Sequence, residues 1–186
     1  MNHPPLVGTN TSDTSAYPVK FREAHQKGIP HRAVHIEITQ GEQWLVWRRS
    51  DGRLEIPGGH VDWLVEAEAP ESYHDAALRE LFEELDLETN WKMTKAQAIA
   101  RMAGALLPLG RTVNQLPSSH GNNNEHVALF QLCWQEKWGD PSGFAPSAEV
   151  ASKPAWLTFR EILQTAADAP TRINSALRLF LARHGC

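Results

Sequence analysis

Ala33-Val34-His35-Ile36-Glu37-Ile38 mixes apolar and polar residues in near-alternation, and the short apolar run Trp44-Leu45-Val46-Trp47 follows just after Gln40-Gly41. Together the two segments predict a β-hairpin. Ser50-Asp51-Gly52 then marks a turn, and Leu54-Glu55-Ile56 leads into Pro57-Gly58-Gly59, where the backbone must turn sharply or approach something closely. From Pro70 to about Leu85 the period becomes helical, with Pro70 at a first-turn position and Glu71 near the positive end of the helix dipole. A second helix is expected over Thr94 to Leu106, where Thr94 can cap and alanines dominate, followed by a polar loop from Asn114 to Asn124.

Glu125 to Trp134 reads as a largely buried strand, with Cys133 as plain core, and Gly139 to Pro146 is rich in turn residues. A short segment at Trp156-Leu157 precedes a helix from about Phe159. A last amphipathic helix runs from about Arg172 to Arg183, because Ile173, Ala176, Leu177, Phe180 and Leu181 recur on one face. Residues 1–18, rich in Pro, Ser, Thr and Asn without periodicity, read as a flexible N-terminal arm carrying little chemistry, and 19–186 as one domain.

With 186 residues and 41% of them hydrophobic, the chain can bury one sizeable core. The formal charge of -4 leaves no basic excess to neutralise a nucleic acid polymer. A small phosphorylated substrate remains within reach if a bound cation or a few placed Arg and Lys residues hold it. The two cysteines, Cys133 and Cys186, suit neither a disulfide framework nor a zinc site, which points to a reducing, cytoplasmic setting. No basic-then-apolar leader and no run near the ~18 apolar residues of a membrane span is visible, so no membrane partner is expected.

The chemistry concentrates on the first helix. At about 100° per residue, Glu80, Glu83 and Glu84 converge on one face, and Leu78, Leu81, Phe82 and Leu85 form an apolar stripe opposite. Ala76 and Ala77, one turn earlier on the acidic side, are expected to leave open space. Like charges at these spacings cost a helix about 0.2 to 0.5 kcal/mol per pair, which a divalent cation would offset. Hard oxygen donors suit Mg²⁺ or Mn²⁺. A bare R-E-x-x-E-E string is also what an ordinary solvated helix face shows; the preceding Gly58-Gly59 and Glu71, and the apolar strands on either side, favour a site.

These residues resemble the Nudix hydrolase family, whose box is written G-x5-E-x7-R-E-U-x-E-E-x-G-U, with U aliphatic. Glu71, seven intervening residues, and then Arg79-Glu80-Leu81-Phe82-Glu83-Glu84-Leu85-Asp86-Leu87 reproduce the second half at every charged position. Two departures stand out. Eleven residues rather than five separate Gly59 from Glu71, which lengthens the loop within Trp63 to Pro70 and bears on the shape of the pocket. Asp86 stands where the family has Gly, in a left-handed position that Asp tolerates better than most residues. Looser likeness at His31-Arg32-Ala33-Val34 and from Glu149 to Glu161 extends the resemblance to about two-thirds of the chain.

The resemblance implies an α/β fold, a Nudix-like α/β/α sandwich with a mixed β-sheet. It also implies metal-dependent hydrolysis of a diphosphate linkage in a small phosphorylated substrate. By position, Glu80, Glu83 and Glu84 would hold Mg²⁺, or Mn²⁺ in its place, with one of them available as base. Arg79 and Glu71 would brace loop and helix, and Gly58 and Gly59 would face the substrate. Glu125 is a candidate base or further ligand, although an ordinary strand-end Glu reads the same way. Arg48 and Arg49 are candidates to meet a phosphate. His60 is expected to touch neither substrate nor metal, and Trp63 to pack partly against the core. A homodimer is compatible with the sequence, which does not fix the oligomeric state.

Two alternatives stand beside the hydrolase. His31-Arg32-Ala33 and the long loop are reminiscent of the isopentenyl-diphosphate isomerase branch, but no cysteine stands near Gly58-Gly59-His60 to play that branch's catalytic part. A Nudix-fold sensor that binds its ligand without turnover is the other, and the intact charged box argues against it.

Overall fold

The structure, a computed structural model, describes residues 4–115, 117–118, 121–144 and 152–185. Pro146 and the rest of 145–151, Cys186 and residues 1–3 therefore lie outside the described residues. The strands and helices follow in the order β1 (Leu6–Gly8), β2 (Tyr17–Val19), α1 (Phe21–Lys27), β3 (His31–Gln40), β4 (Gln43–Arg48), β5 (Leu54–Glu55), β6 (Gly58–His60), β7 (Trp63–Leu64), β8 (Ala69–Pro70) and α2 (Tyr73–Glu84). Then come α3 (Leu87–Trp91), α4 (Lys95–Met102), β9 (Leu106–Asn114), β10 (Pro117–Ser118), β11 (Gly121–Asn122), β12 (Glu125–Cys133), β13 (Ala155–Thr158), α5 (Phe159–Asp168) and α6 (Ser175–Arg183).

β3 and β12 form the parallel centre of a nine-stranded mixed sheet, in register from Glu125↔His31 to Cys133↔Thr39. β9 runs antiparallel on the far side of β12, and β13 on the far side of β4. The two faces are separated by strand alternation. Val34, Ile36, Ile38, Ala128, Phe130 and Leu132 pack with Leu78, Leu81, Ala98 and Met102 of α2 and α4. Ala33, Val127 and Leu129 pack on the other face with Ile162 of α5 and Leu177 and Phe180 of α6. The result is the expected α/β/α sandwich.

One departure from a simple hairpin positions the site. β3 and β4 pair only at Thr39↔Trp44 and Gln40↔Gln43. Where they part, β6 takes the place beside β3, with Ala33↔His60, Val34↔Gly59 and His35↔Gly58 in register.

Several expectations need correction. The N-terminal segment read as a flexible arm is, from Leu6, part of the sheet: β1 pairs with β2 and meets β3 at Gly8↔His31, and Leu6 and Val7 are buried. Asp13 in the same segment binds Arg32 at 2.6 Å and accepts from the Tyr73 hydroxyl at 2.9 Å. These long-range partners leave no periodic trace in the sequence. Pro70 is not in the helix, because Ser72 caps α2 by accepting from the Asp75 N–H and Pro70 belongs to β8. Ala76 and Ala77 leave no space; both are fully buried, which brings α2 close to the sheet.

β9 went unread because Pro108 and Gly110 interrupt it and Leu107 and Val113 face solvent, a pattern tolerated on an edge strand. Cys133 is exposed rather than core, since alternation at the end of β12 turns Leu132 and Trp134 inward instead. No helix among the described residues is long and apolar enough to cross a membrane.

Candidate active site

Between β6, the helices α1, α2 and α6, and the ends of the central strands lies a cavity of about 960 Å³, within the size range of small-molecule sites. Its charged lining falls into two contact groups. One holds Asp62, Glu80, Glu83, Glu84 and Glu125 together with Arg79, the other Arg49, Arg53 and Arg178 with Glu55.

The acidic end is built on backbone contact. Gly58 donates its N–H to Glu84 Oε2 at 2.9 Å. A Cβ on Gly59 would collide with the Glu80 carboxylate, and one on Gly58 with the Val34 carbonyl and the His35 ring. The glycines are therefore required because helix carboxylates and strand backbone touch directly. Glu80 is nearly buried, and burial pushes its carboxyl above the usual range, with the charge of Glu83 adding to the effect and Arg79 opposing it. Glu83 is half-exposed and meets Lys95 at 3.2 Å.

Arg79 organises the group. Its Nη2 donates to Glu71 Oε2 at 2.9 Å and to the His60 carbonyl at 2.7 Å, while Nη1 donates to Glu80 at 2.7 Å. Burial alone would ease its proton off, but the carboxylates around it hold the guanidinium above its ordinary value. Glu71 also accepts from the Asp62 N–H, so the Arg79–Glu71 pair ties the strand after β6 to the helix. The donor set of Glu80, Glu83 and Glu84 fits a hard divalent ion, because three carboxylates share one wall, one is buried beside a like charge, and a single guanidinium bridges Glu80 and Glu83.

A second cluster adjoins the first. Ring nitrogens of His25, His31 and His60 all lie within 4.8 Å of one another. Glu125 Oε1 stands 3.6 Å from His60 Nε2 and 3.8 Å from His31 Nε2, while Asn114 donates to Glu125 Oε2 at 2.7 Å. The Nε2 atoms of His31 and His60 are buried with no hydrogen-bond partner among the described residues. Burial would raise the Glu125 carboxyl, but the imidazoles of His60, His35 and His31 hold it down, to about 2. Burial lowers His31. Imidazole nitrogens beside one carboxylate suit a transition-metal ion.

Of the residues singled out in the sequence, Glu80, Glu83, Glu84, Arg79, Glu125, Gly58, Gly59 and Arg49 all line this cavity. Arg48 does not; it is exposed and donates to the Gly52 carbonyl at the turn. His60, expected to stand apart, belongs to the histidine cluster. His25 and His31 were missed. They come from α1 and the start of β3, and only the pairings Glu125↔His31 and Ala33↔His60 bring the group together. The lengthened loop forms the small β7–β8 hairpin, none of whose residues lines the cavity, and Trp63 in it packs partly against the core. Asp86 adopts φ 44 and ψ 53, the left-handed conformation its position demands.

The sequence matches the NUDIX domain family over residues 29–179. The chain belongs to the Nudix family. Among its curated relatives is the isopentenyl-diphosphate Delta-isomerase of Cereibacter sphaeroides (strain ATCC 17025 / ATH 2.4.3), 25% identical over 179 residues, 92% of this chain and 88% of that protein. The protein of the same name from Dinoroseobacter shibae is 26% identical, covering 92% of this chain and 89% of the relative. Among solved structures, a Deinococcus radiodurans protein superposes with a TM-score of 0.63 at 18% identity, covering 94% of this chain and 95% of its own. A Francisella tularensis bifunctional NMN adenylyltransferase/ADP ribose pyrophosphatase, complexed with AMP and a manganese ion, reaches 0.52 at 19% identity, covering 81% of this chain and 39% of its own. These two structures share the Nudix fold seen here.

Proposed function

We propose that this Nudix protein is a metal-dependent hydrolase that cleaves a diphosphate linkage in a small phosphorylated substrate. The observation that carries the reading is the close approach of Glu80 and Glu84 to the Gly58-Gly59 backbone, with Glu83 beside them, in the lining of a substrate-sized cavity. These carboxylates would hold Mg²⁺, or Mn²⁺ in its place. A divalent ion there supplies the positive charge that neutralises phosphoryl oxygens as the bond to phosphorus changes.

The chain's own residues do the rest. Arg79 bridges Glu80 and Glu83 and fixes the β6 backbone through the His60 carbonyl. Water oxygen attacks phosphorus, the bridging P–O bond breaks with its electron pair on the leaving phosphate, and the water proton must reach a carboxylate. Glu125 stands among the imidazoles of His31 and His60 and not on the wall of helix carboxylates, so we assign the proton to the helix carboxylates and Glu125 to the histidine cluster.

The relatives named isopentenyl-diphosphate isomerases supply the second reading. Against it, the cavity lining contains no cysteine among the described residues, and Cys133 is exposed at the end of β12, away from the cavity.

The test is a screen of nucleoside triphosphates, nucleotide sugars, ADP-ribose, dinucleoside polyphosphates and isopentenyl diphosphate with Mg²⁺ or Mn²⁺, with Glu84→Gln in parallel. Metal-dependent product release that the substitution removes is expected. Rearrangement of isopentenyl diphosphate without phosphate release would establish the isomerase, and binding without turnover a sensor.

A further inference from the structure

We propose that the wall formed by Arg49, Arg53 and Arg178 is a subsite for an additional phosphate of the substrate, one outside the linkage that is cut. This deepens the hydrolase reading and rests on it. The substrate would then be a molecule with a phosphate beyond its scissile diphosphate, not a diphosphate with an uncharged tail.

The wall is assembled by one junction. Arg49 directly follows β4 and Arg53 directly precedes β5, the two joined across the turn by Arg49 N–H to the Arg53 carbonyl at 2.9 Å. α6 is docked against β5 by Asn174, whose N–H donates to the Leu54 carbonyl at 3.1 Å and whose Nδ2 donates to Glu55 at 2.9 Å. That contact carries Arg178, one turn into α6, to the same end of the cavity, beside Thr171 and Ser175.

The charges there are unequally satisfied. Arg49 pairs with Glu55 at 2.7 Å and Arg53 with Asp51 at 2.6 Å. Both arginine side chains are more than a third exposed, at 40% and 36%, so these pairs are weak and exchangeable. Arg178 instead donates Nε to the Ile173 carbonyl and Nη2 to the Pro170 carbonyl. Among the described residues it has no carboxylate partner. Neutral carbonyls orient a guanidinium without cancelling its charge, and its Nη1 donors remain for an anion. A planar, pre-oriented guanidinium is well suited to phosphate. The acidic end repels that same anion unless a cation covers it, so a phosphate not held by metal belongs at this end.

Inorganic phosphate titrated into the full chain in EDTA, followed by calorimetry at fixed salt, separates the subsite from the metal end. Wild type and Glu84→Gln should bind alike. Arg178→Ala should weaken binding about tenfold, as loss of one charge-assisted contact does, with partial recovery in Arg178→Lys. Melting curves confirm that each variant is folded. Absence of phosphate binding in wild type, indifference to Arg178→Ala, or equal loss in Glu84→Gln would each overturn the subsite. Failure of the hydrolase reading would show elsewhere, as no turnover by wild type with metal, and would leave the EDTA titration untouched.

Discussion

Glu84 Oε2 accepts the backbone N–H of Gly58 at 2.9 Å, across a sequence separation of 26 residues. This bond fixes one helix carboxylate against the strand that replaces β4 beside β3. Replacing Glu84 by Gln preserves the shape but removes the charge needed for a cation. Turnover is expected to fall about 100-fold or more, with the melting temperature nearly unchanged. Retention of full activity would remove Glu84 from the metal set.

Gly58 and Gly59 should respond differently to alanine. At Gly59 the added methyl meets the end of the Glu80 side chain, which can swing aside. Gly59→Ala should therefore cost little stability and most of the activity. At Gly58 the methyl meets the Val34 carbonyl and the His35 ring. Backbone cannot swing, so Gly58→Ala should destabilise by about 1 to 3 kcal/mol. Denaturant midpoints of the two variants check the contrast, and equal midpoints would contradict it.

The histidine cluster should take up a transition-metal ion independently of the helix. Chain stripped with EDTA and titrated with Zn²⁺ or Mn²⁺ should show a site that His31→Gln weakens by about 10- to 100-fold and that Glu80→Gln spares. Joint loss in both variants would mean that the two clusters act as one.

His35 is half-buried on β3, and the loss of water around its ring lowers it from 6.5 to about 4. Its neutral form is thus favoured by folding. The stability it contributes is complete above pH 6.5 and is lost as pH falls toward 4, because the unfolded chain then binds a proton that the folded chain does not. The loss amounts to at most about 3 kcal/mol. Unfolding in EDTA from pH 7 to 4 should show this slope, and His35→Gln should flatten it; an unchanged slope in the variant would assign it to other groups.

Asp86 holds φ 44 and ψ 53 where the family pattern has Gly. Asp86→Gly relieves the left-handed strain while increasing the entropy of the unfolded chain, so stability should rise by up to about 1 kcal/mol. A drop in melting temperature would show that the Asp side chain stabilises this helix junction.

Local chemistry written along the chain was legible without coordinates. The 3.6-residue period placed Glu80, Glu83 and Glu84 on one face, and the paired glycines signalled a close approach, because both depend on residues near one another in sequence. Near-alternation followed by a short apolar run gave the β3–β4 hairpin, and a longer apolar run the buried strand β12, for the same reason. The segment before Val19, the edge strand β9 with its Pro108 and Gly110, and the exposure of Cys133 were settled by partners far along the chain. So was the histidine cluster: His25, His31, His60 and Glu125 share no spacing rule, and only the parallel register of β12 on β3 and the insertion of β6 beside β3 bring them within reach. Arg49 and Arg48 are adjacent and chemically identical, yet alternation at the end of a strand turns one into the cavity and the other to solvent. The sequence determined which residues carry charge and which local shapes they take; strand pairing, a long-range choice made by burying two apolar faces at once, decided which of those charges meet.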